Sequence, residues 1–292
     1  MNSEVRFRSL SSMETTGQSR ADLRLNPDHV KLLLVNFLRD ETHNAGFTEG
    51  VLGLSGGVDS AVCAYLAAAA LGPDHVHAVI MPYRTSSPES RTDAELVVKE
   101  LGIRSEVVEI SPMVDPLLSA GAITDRVRAG NIMARERMII LYDVSSRERG
   151  LVFGTGNKTE LLLGYSTLFG DSACALNPLG DLYKTQVWQL AAHLGVPRKI
   201  IEKRPSADLW PGQADEDELG VTYETVDRLL YLLVDERRTE QEIVEAGFEP
   251  AMVSHVKTLI MRNQFKRVPP VIAKVSQRTI NVDFRYPRDW GI

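Results

Sequence analysis

Apolar side chains recur along this chain in two periods, and the switches between them predict its elements. From Pro27 to Asp40, Val30, Leu33, Leu34, Phe37 and Leu38 fall at helical spacing and predict an amphipathic helix. Gly50–Leu54 then reads as a buried strand, Ser55-Gly56-Gly57 as a turn, and Val58–Leu71 as an alanine-rich helix closed by Gly72. His75–Ile80 predicts a second strand, Glu89–Leu101 a helix stopped by Gly102, and Ser105–Ile110 a third strand. A long helix is expected from Arg126 to Arg147 and a further buried strand from Leu151 to Gly154. Strands separated by helices of this length imply βαβ units, hence an α/β fold with a parallel, twisted sheet flanked by helices.

The second half reads differently. Leu161–Pro178 is expected to be irregular, and Leu182–Leu194 to be a helix with Lys184 in its first turn. The prolines of Arg204–Gly212 exclude regular structure there. Asp215–Glu218 reads as a solvated face or a helix start. Glu224–Val234, Thr239–Ala246 and Pro250–Asn263 predict a helical C-terminal part. With no repeat and no linker, residues 23–292 are expected to form one domain. Residues 1–22, polar and serine-bearing, are expected to be a flexible lead-in.

Composition narrows the function classes. At 292 residues, 43% hydrophobic and 25% charged, the chain has the make-up of a globular protein with an ample core. A net charge of -6 argues against a nucleic-acid partner, because phosphate backbones reward clustered Lys and Arg. No apolar run of membrane length occurs, so no membrane partner is expected. Cys63 and Cys174 provide neither a disulfide framework nor a four-ligand zinc site, and a cytoplasmic location is expected.

The candidate chemistry begins at Gly53-Leu54-Ser55-Gly56-Gly57-Val58-Asp59-Ser60. A strand that runs through glycines into a helix N-terminus makes a phosphate cradle. The backbone can approach the anion closely, the first helical N–H groups are unpaired, and the helix dipole favours negative charge. Ser55 and Ser60 add hydroxyl donors, and Asp59 adds a carboxylate able to hold Mg²⁺. No Gly-Lys-Ser/Thr follows, which excludes the Walker loop, and Gly-x-Gly-x-x-Gly is absent. Gly154–Glu160 is expected at the same sheet edge, where ligands of parallel sheets bind, so Glu160 is placed to share a metal with Asp59.

Ser55–Ser60, Gly130–Met138, Gly154–Glu160, Leu182–Thr185, Pro205–Leu209, Asp217–Gly220 and Lys266-Arg267, in this order and spacing, resemble the ammonia-dependent NAD synthetases of the ATP pyrophosphatase superfamily. The resemblance implies a Rossmann-like three-layer fold of the adenine-nucleotide alpha-hydrolase kind and a homodimer. It also implies a two-step reaction. ATP adenylates the nicotinate carboxylate of deamido-NAD with loss of pyrophosphate, and ammonia displaces AMP. By resemblance, Gly53, Ser55, Gly56, Gly57, Val58 and Ser60 bind ATP together with Thr155, Lys184 and Ser206. Asp59 and Glu160 hold Mg²⁺, Asp59 and Lys184 are catalytic, and Arg135, Asp171 and Lys266 face the substrate. No glutaminase portion is expected, so the nitrogen is free ammonia or ammonia passed on by a partner.

The same residues admit plainer readings. Lys184 would otherwise be a solvated lysine, Thr155 and Ser206 loop hydroxyls, Glu160 a helix cap and Arg135 an ion-pair partner. The chain also departs from the family on the dinucleotide side. Leu168 stands where the family has lysine, Ala175 where it has aspartate, and Phe265 where it has histidine. Deamido-NAD is therefore weighed against a smaller or less polar carboxylate. A sulfur-transferring ATP pyrophosphatase using Cys174 and a non-catalytic nucleotide-binding protein are the remaining alternatives. Arg84–Ser90 and Ser206–Glu218 are expected to act as lids.

Overall fold

Val51 and Leu52 are consecutive apolar residues because the strand they belong to is covered on both faces. The computed structural model describes residues 23–210, 212–280 and 282–284; the expected lead-in of residues 1–22 lies outside the described residues. Four parallel strands, β1 (Glu49–Gly53), β2 (Val76–Ile80), β3 (Arg104–Val107) and β4 (Gly150–Phe153), form a sheet of order β3-β2-β1-β4. In register, Leu52 pairs with Ala78 on one side and with Phe153 on the other.

Around the sheet, among the described residues, run α1 (Pro27–Asn44), which precedes β1, and α2 (Val58–Leu71), α3 (Pro88–Leu101), α4 (Ser111–Ala120), α5 (Arg126–Glu148), α6 (Lys158–Leu163), α7 (Lys184–Leu194) and α8 (Arg198–Ile201). Because alternate strand residues face opposite sides, Leu52, Ala78 and Phe153 join Leu38, Leu66, Leu190 and Ile200 of the α1, α2, α7 and α8 layer. Val51 and Val79 instead join Val114 of α4 and Met133, Ile140 and Val144 of α5. This is the expected three-layer α/β architecture. Helix α2 lies deep in it: Ala61, Ala64 and Ala67 are fully buried, and their small side chains allow close packing against the sheet.

A third apolar cluster belongs to α9 (Asp215–Leu219), α10 (Tyr223–Leu230), α11 (Glu240–Glu245) and α12 (Pro250–Arg262), which pack on Leu163 of α6 and Tyr183 beside α7. The helical C-terminal part thus leans on the helices that carry Glu160 and Lys184.

Several expectations need correction. His75 closes a 3₁₀ turn rather than opening β2, because Pro73 starts that turn. Strand β3 ends at Val107, although the Val108 and Ile110 N–H groups still donate to the Ile80 and Pro82 carbonyls. The stretch Leu161–Pro178 is not irregular throughout, since α6 takes in Leu161–Leu163; its signal was a capping box on Asn157 and Glu160. Helix α4 was not foreseen, its Pro112 and Pro116 masking a helix that tolerates both. Asp215 does start a helix, but it is buried, not solvated.

Candidate active site

From β1 the chain runs to β2 and β3 on one side and returns through β4 on the other. The crevice beyond the carboxyl ends of β1 and β4 is therefore the point where strand order reverses, the usual ligand site of open parallel sheets. The Ser55–Ser60 turn and the Gly154–Asn157 loop both leave the sheet there.

The turn is held by its own hydroxyls. The Ser55 N–H donates to Ser60 Oγ (3.2 Å), the two hydroxyls lie 3.1 Å apart, and Ser60 Oγ donates to the Gly57 carbonyl (3.0 Å). Gly56 has φ +77°, and a Cβ there would sit 2.1 Å from the Ser90 carbonyl oxygen, so glycine is required twice over. Gly57 caps α2 without a side-chain acceptor, which leaves first-turn N–H groups open to an anion.

Beside the turn, three charges expected from the sequence converge. The Lys184 ammonium pairs with Asp59 Oδ2, and Glu160 Oε1 lies 3.9 Å from the same nitrogen. Asn157, absent from the expected site residues, is fully buried and links the first turns of α2 and α6. Its Nδ2 donates to Asp59 Oδ1 (3.0 Å), and its Oδ1 caps α6 by accepting from the Glu160 N–H (3.0 Å). Burial and the Asp59 carboxylate push Glu160 up to about 8. Burial works against the Lys184 ammonium, but Asp59, Glu160 and Asp215 outweigh it and hold its pKa above the usual lysine range. The ammonium also lies 5.3 Å from the Tyr223 ring centroid.

The C-terminal helices supply a second ring of groups that sequence reasoning missed. Asp215 accepts from the hydroxyls of Tyr165 and Tyr223, each at 3.1 Å, and burial pushes its carboxyl up. Asp227 accepts from Thr159 Oγ1 (2.5 Å) and from the Thr185 N–H (2.8 Å). Only the helical spacing of Asp227 among Val226, Leu229 and Leu230 hinted that it points inward.

The remaining expected residues divide. Thr155 lies in the loop after β4, beside the cluster in sequence. Ser206 is exposed, and its hydroxyl accepts the Asp208 N–H (3.1 Å) rather than meeting the charged cluster. The two expected lids touch, the Ser87 N–H donating to the Asp208 carboxylate (3.1 Å), and Lys203, just ahead of the second lid, donates to Ser90 Oγ (3.2 Å). A cavity of about 240 Å³ at this end of β2 and β3 is lined by Tyr83, Ser87, Arg91 and Val107 among others, none of them part of the charged cluster.

On the substrate side, Arg135 is exposed and donates to the Leu168 carbonyl (3.3 Å), so it meets the loop of altered residues rather than an ion-pair partner. Asp171 accepts the Thr167 N–H (2.8 Å), and Ala175 donates its N–H to the Val152 carbonyl (2.8 Å), extending the edge of β4. Phe265 is exposed. Lys266 donates to the carbonyls of Gly164 (2.7 Å) and Ser166 (2.6 Å), a backbone clamp on the loop that follows α6.

Glycine turn and charged cluster thus meet at one edge of a parallel α/β sheet, where ligands of such sheets bind. The profile of the NAD synthase family matches residues 31–270. An NH(3)-dependent NAD(+) synthetase of Trichlorobacter lovleyi is 57% identical over 269 residues, covering 92% of this chain and 98% of that protein. Among solved structures, the NMN synthetase from Francisella tularensis aligns with a TM-score of 0.76 at 34% identity, over 86% of this chain and 99% of that one. The NH3-dependent NAD synthetase from Campylobacter jejuni gives 0.74 at 32% identity, over 86% and 100%. The chain belongs to the NAD synthase family. It is an ATP-dependent, C–N bond-forming ligase of NAD synthesis, as the motif resemblance implied. No helix among the described residues is long and apolar enough to cross a membrane.

Proposed function

We propose that this protein converts deamido-NAD to NAD in two steps at the Asp59–Glu160–Lys184 cluster. A nicotinate carboxylate oxygen attacks the α-phosphorus of ATP, the α–β P–O bond breaks, and pyrophosphate leaves. Ammonia then attacks the acyl carbon, the C–O bond to AMP breaks, and the nitrogen loses a proton to solvent. A carboxylate is a poor electrophile, so the work of the site is to orient it and to neutralise charge that develops between the phosphates. The observation that carries this reading is the convergence of a buried ammonium with two carboxylates at an open helix N-terminus.

The donor set fits Mg²⁺. Two crowded carboxylates, one with a raised pKa, favour a cation between them. A magnesium ion needs only one or two protein carboxylates when phosphate oxygens and waters complete its shell. Asp59 and Glu160 would hold it, and it would supply charge neutralisation on the phosphates. Lys184 would sit against the same phosphates, with Ser55, Ser60 and the backbone of Gly53, Gly56, Gly57 and Val58 gripping the pyrophosphate. Thr155 and Ser206 would complete the ATP contacts, with Arg135, Asp171 and Lys266 on the carboxylate's side of a homodimeric enzyme. Burial pushes the Cys174 thiol up, which speaks against a sulfur-transferring thiolate. Carboxylate-¹⁸O-labelled deamido-NAD tests the scheme. One ¹⁸O delivered to AMP supports an acyl-adenylate, and unlabelled AMP with labelled product refutes it.

A second reading has its own support in the likeness to an NMN synthetase. The acid counterpart of NMN lacks the adenylate half of a dinucleotide and would need fewer polar contacts, which matches Leu168, Ala175 and the exposed Phe265. Comparing kcat/KM for deamido-NAD and for nicotinate mononucleotide decides between them.

A further inference from the structure

We infer that Asp227 is a positioning residue for this chemistry, acting through Thr159 and Thr185 to fix Lys184 against Glu160; the inference rests on the proposed role of those two side chains. Asp227 is fully buried on α10 between apolar neighbours, Val226, Leu229 and Leu230, where packing alone would be served by another apolar side chain. A buried carboxylate is costly unless its lone pairs are used. Both oxygens are used, and both serve the site. Oδ1 accepts from the Thr159 hydroxyl at 2.5 Å, and Oδ2 accepts from the Thr185 N–H at 2.8 Å. The Thr159 hydroxyl oxygen in turn accepts the Lys184 N–H at 3.0 Å.

Thr159 immediately precedes Glu160 on α6, while Lys184 and Thr185 open α7. The first N–H groups of a helix have no partner within it. Here those of Lys184 and Thr185 are capped from outside, by a threonine of α6 and a carboxylate of α10. The negative charge also complements the N-terminal end of the α7 dipole. One buried relay thus ties together three helices, and two of its links set where the ammonium and the Glu160 carboxylate stand. A displacement of this relay would move the ammonium relative to the phosphates without removing any group that touches substrate.

The test is kinetic and structural, on the full chain. Asp227→Asn can accept only one of the two bonds, and Thr159→Val removes the hydroxyl while keeping the carboxylate and the volume. Each is expected to lower kcat roughly tenfold to a hundredfold, the scale of an ångström-sized misplacement, with KM for ATP within about threefold. The double variant should be no slower than the worse single one, and Thr159→Ser should restore most of the rate lost in Thr159→Val. Amide hydrogen exchange at Lys184 and Thr185 should quicken in both single variants. A kcat within about twofold of wild type in folded protein, or Thr159→Ser as slow as Thr159→Val, would overturn the inference. If Asp227→Asn fails to fold, Thr159→Val carries the test. If the wild-type protein releases no pyrophosphate, the proposed function has failed, and the exchange data alone decide: unchanged protection at Lys184 and Thr185 in Thr159→Val overturns the relay.

Discussion

Lys184 of α7 and Asp59 of α2, 125 residues apart in sequence, form an ion pair at the carboxyl edge of the sheet, and Glu160 stands 3.9 Å from the same ammonium. The lysine is buried, while its Asp59 partner keeps part of its surface open to solvent. Replacing Lys184 by Met should lower the rate of pyrophosphate release by about 10²–10³-fold, the usual cost of removing one preorganised electrostatic group. It should also destabilise the fold by about 1–3 kcal/mol, because it leaves the half-buried Asp59 and Glu160 carboxylates without their cation. The double variant Asp59→Asn/Lys184→Met should recover part of that stability in urea unfolding while remaining inactive. A double variant no more stable than Lys184→Met would show that the pair contributes little to the fold.

The glycine turn makes a sharper steric prediction. At Gly56 a Cβ would meet the Ser90 carbonyl oxygen at 2.1 Å and a positive φ. Gly56→Ala should therefore cost at least about 1–2 kcal/mol from the left-handed conformation alone, with more from displacing Ser90. At Gly57 the nearest contact of a Cβ is Ser55 Oγ at 3.4 Å, and φ is -90°. Gly57→Ala should change unfolding free energy by less than about 1 kcal/mol, as expected where sterics permit alanine. Equal destabilisation by the two substitutions would contradict this picture of the turn.

Asp93 gives the pH dependence. It is buried on α3 and bridges to Lys199 Nζ (2.8 Å) and Lys203 Nζ (3.1 Å) near α8. Burial alone would raise its pKa, but the two lysines outweigh that and hold it below the ordinary carboxylate range. A folded-state pKa below the unfolded value means that the stabilisation is fully present above the unfolded value, about 4. It is lost as pH falls through the folded-state value. Asp93→Asn should cost about 1–3 kcal/mol at neutral pH and progressively less in acid, measured as unfolding midpoints across pH. A difference between wild type and variant that stays constant from neutral to acid pH would refute the linkage.

The substrate side can be re-polarised. Leu168→Lys with Ala175→Asp should raise kcat/KM for deamido-NAD relative to nicotinate mononucleotide by roughly tenfold or more, since each charged hydrogen bond regained is worth about 1.5–3 kcal/mol. An unchanged ratio would mean that these positions do not meet the substrate's second nucleotide.

The chain's own pattern made the frame of the molecule legible. Gly72 and Gly102 mark helix ends where the structure has them, and the alternation of strands with helices of ten or more residues leads to the parallel sheet. Asp59, Glu160 and Lys184 could be read because each sits in a local motif at an element boundary. Asp215 and Asp227 could not, since an acidic residue in a helix looks solvated unless the packing of other helices is known. Tyr165 and Tyr223 bury the first, Thr159 and Thr185 the second, and those contacts span up to 68 residues. Lys266 shows the opposite limit: its motif was visible, but its partners, the carbonyls of Gly164 and Ser166, lie about a hundred residues away in the chain.

Cleavage of ATP between its α and β phosphates to activate a nicotinate carboxylate, as proposed for this cluster, fixes which products must form together. The most direct measurement is a complete product balance with ATP, Mg²⁺, ammonia and deamido-NAD, beside a control lacking deamido-NAD. AMP, pyrophosphate and NAD are expected in equal amounts, with no pyrophosphate in the control. ADP and phosphate as products, or intact ATP in the presence of both deamido-NAD and nicotinate mononucleotide from protein that binds the nucleotide, would contradict the proposal.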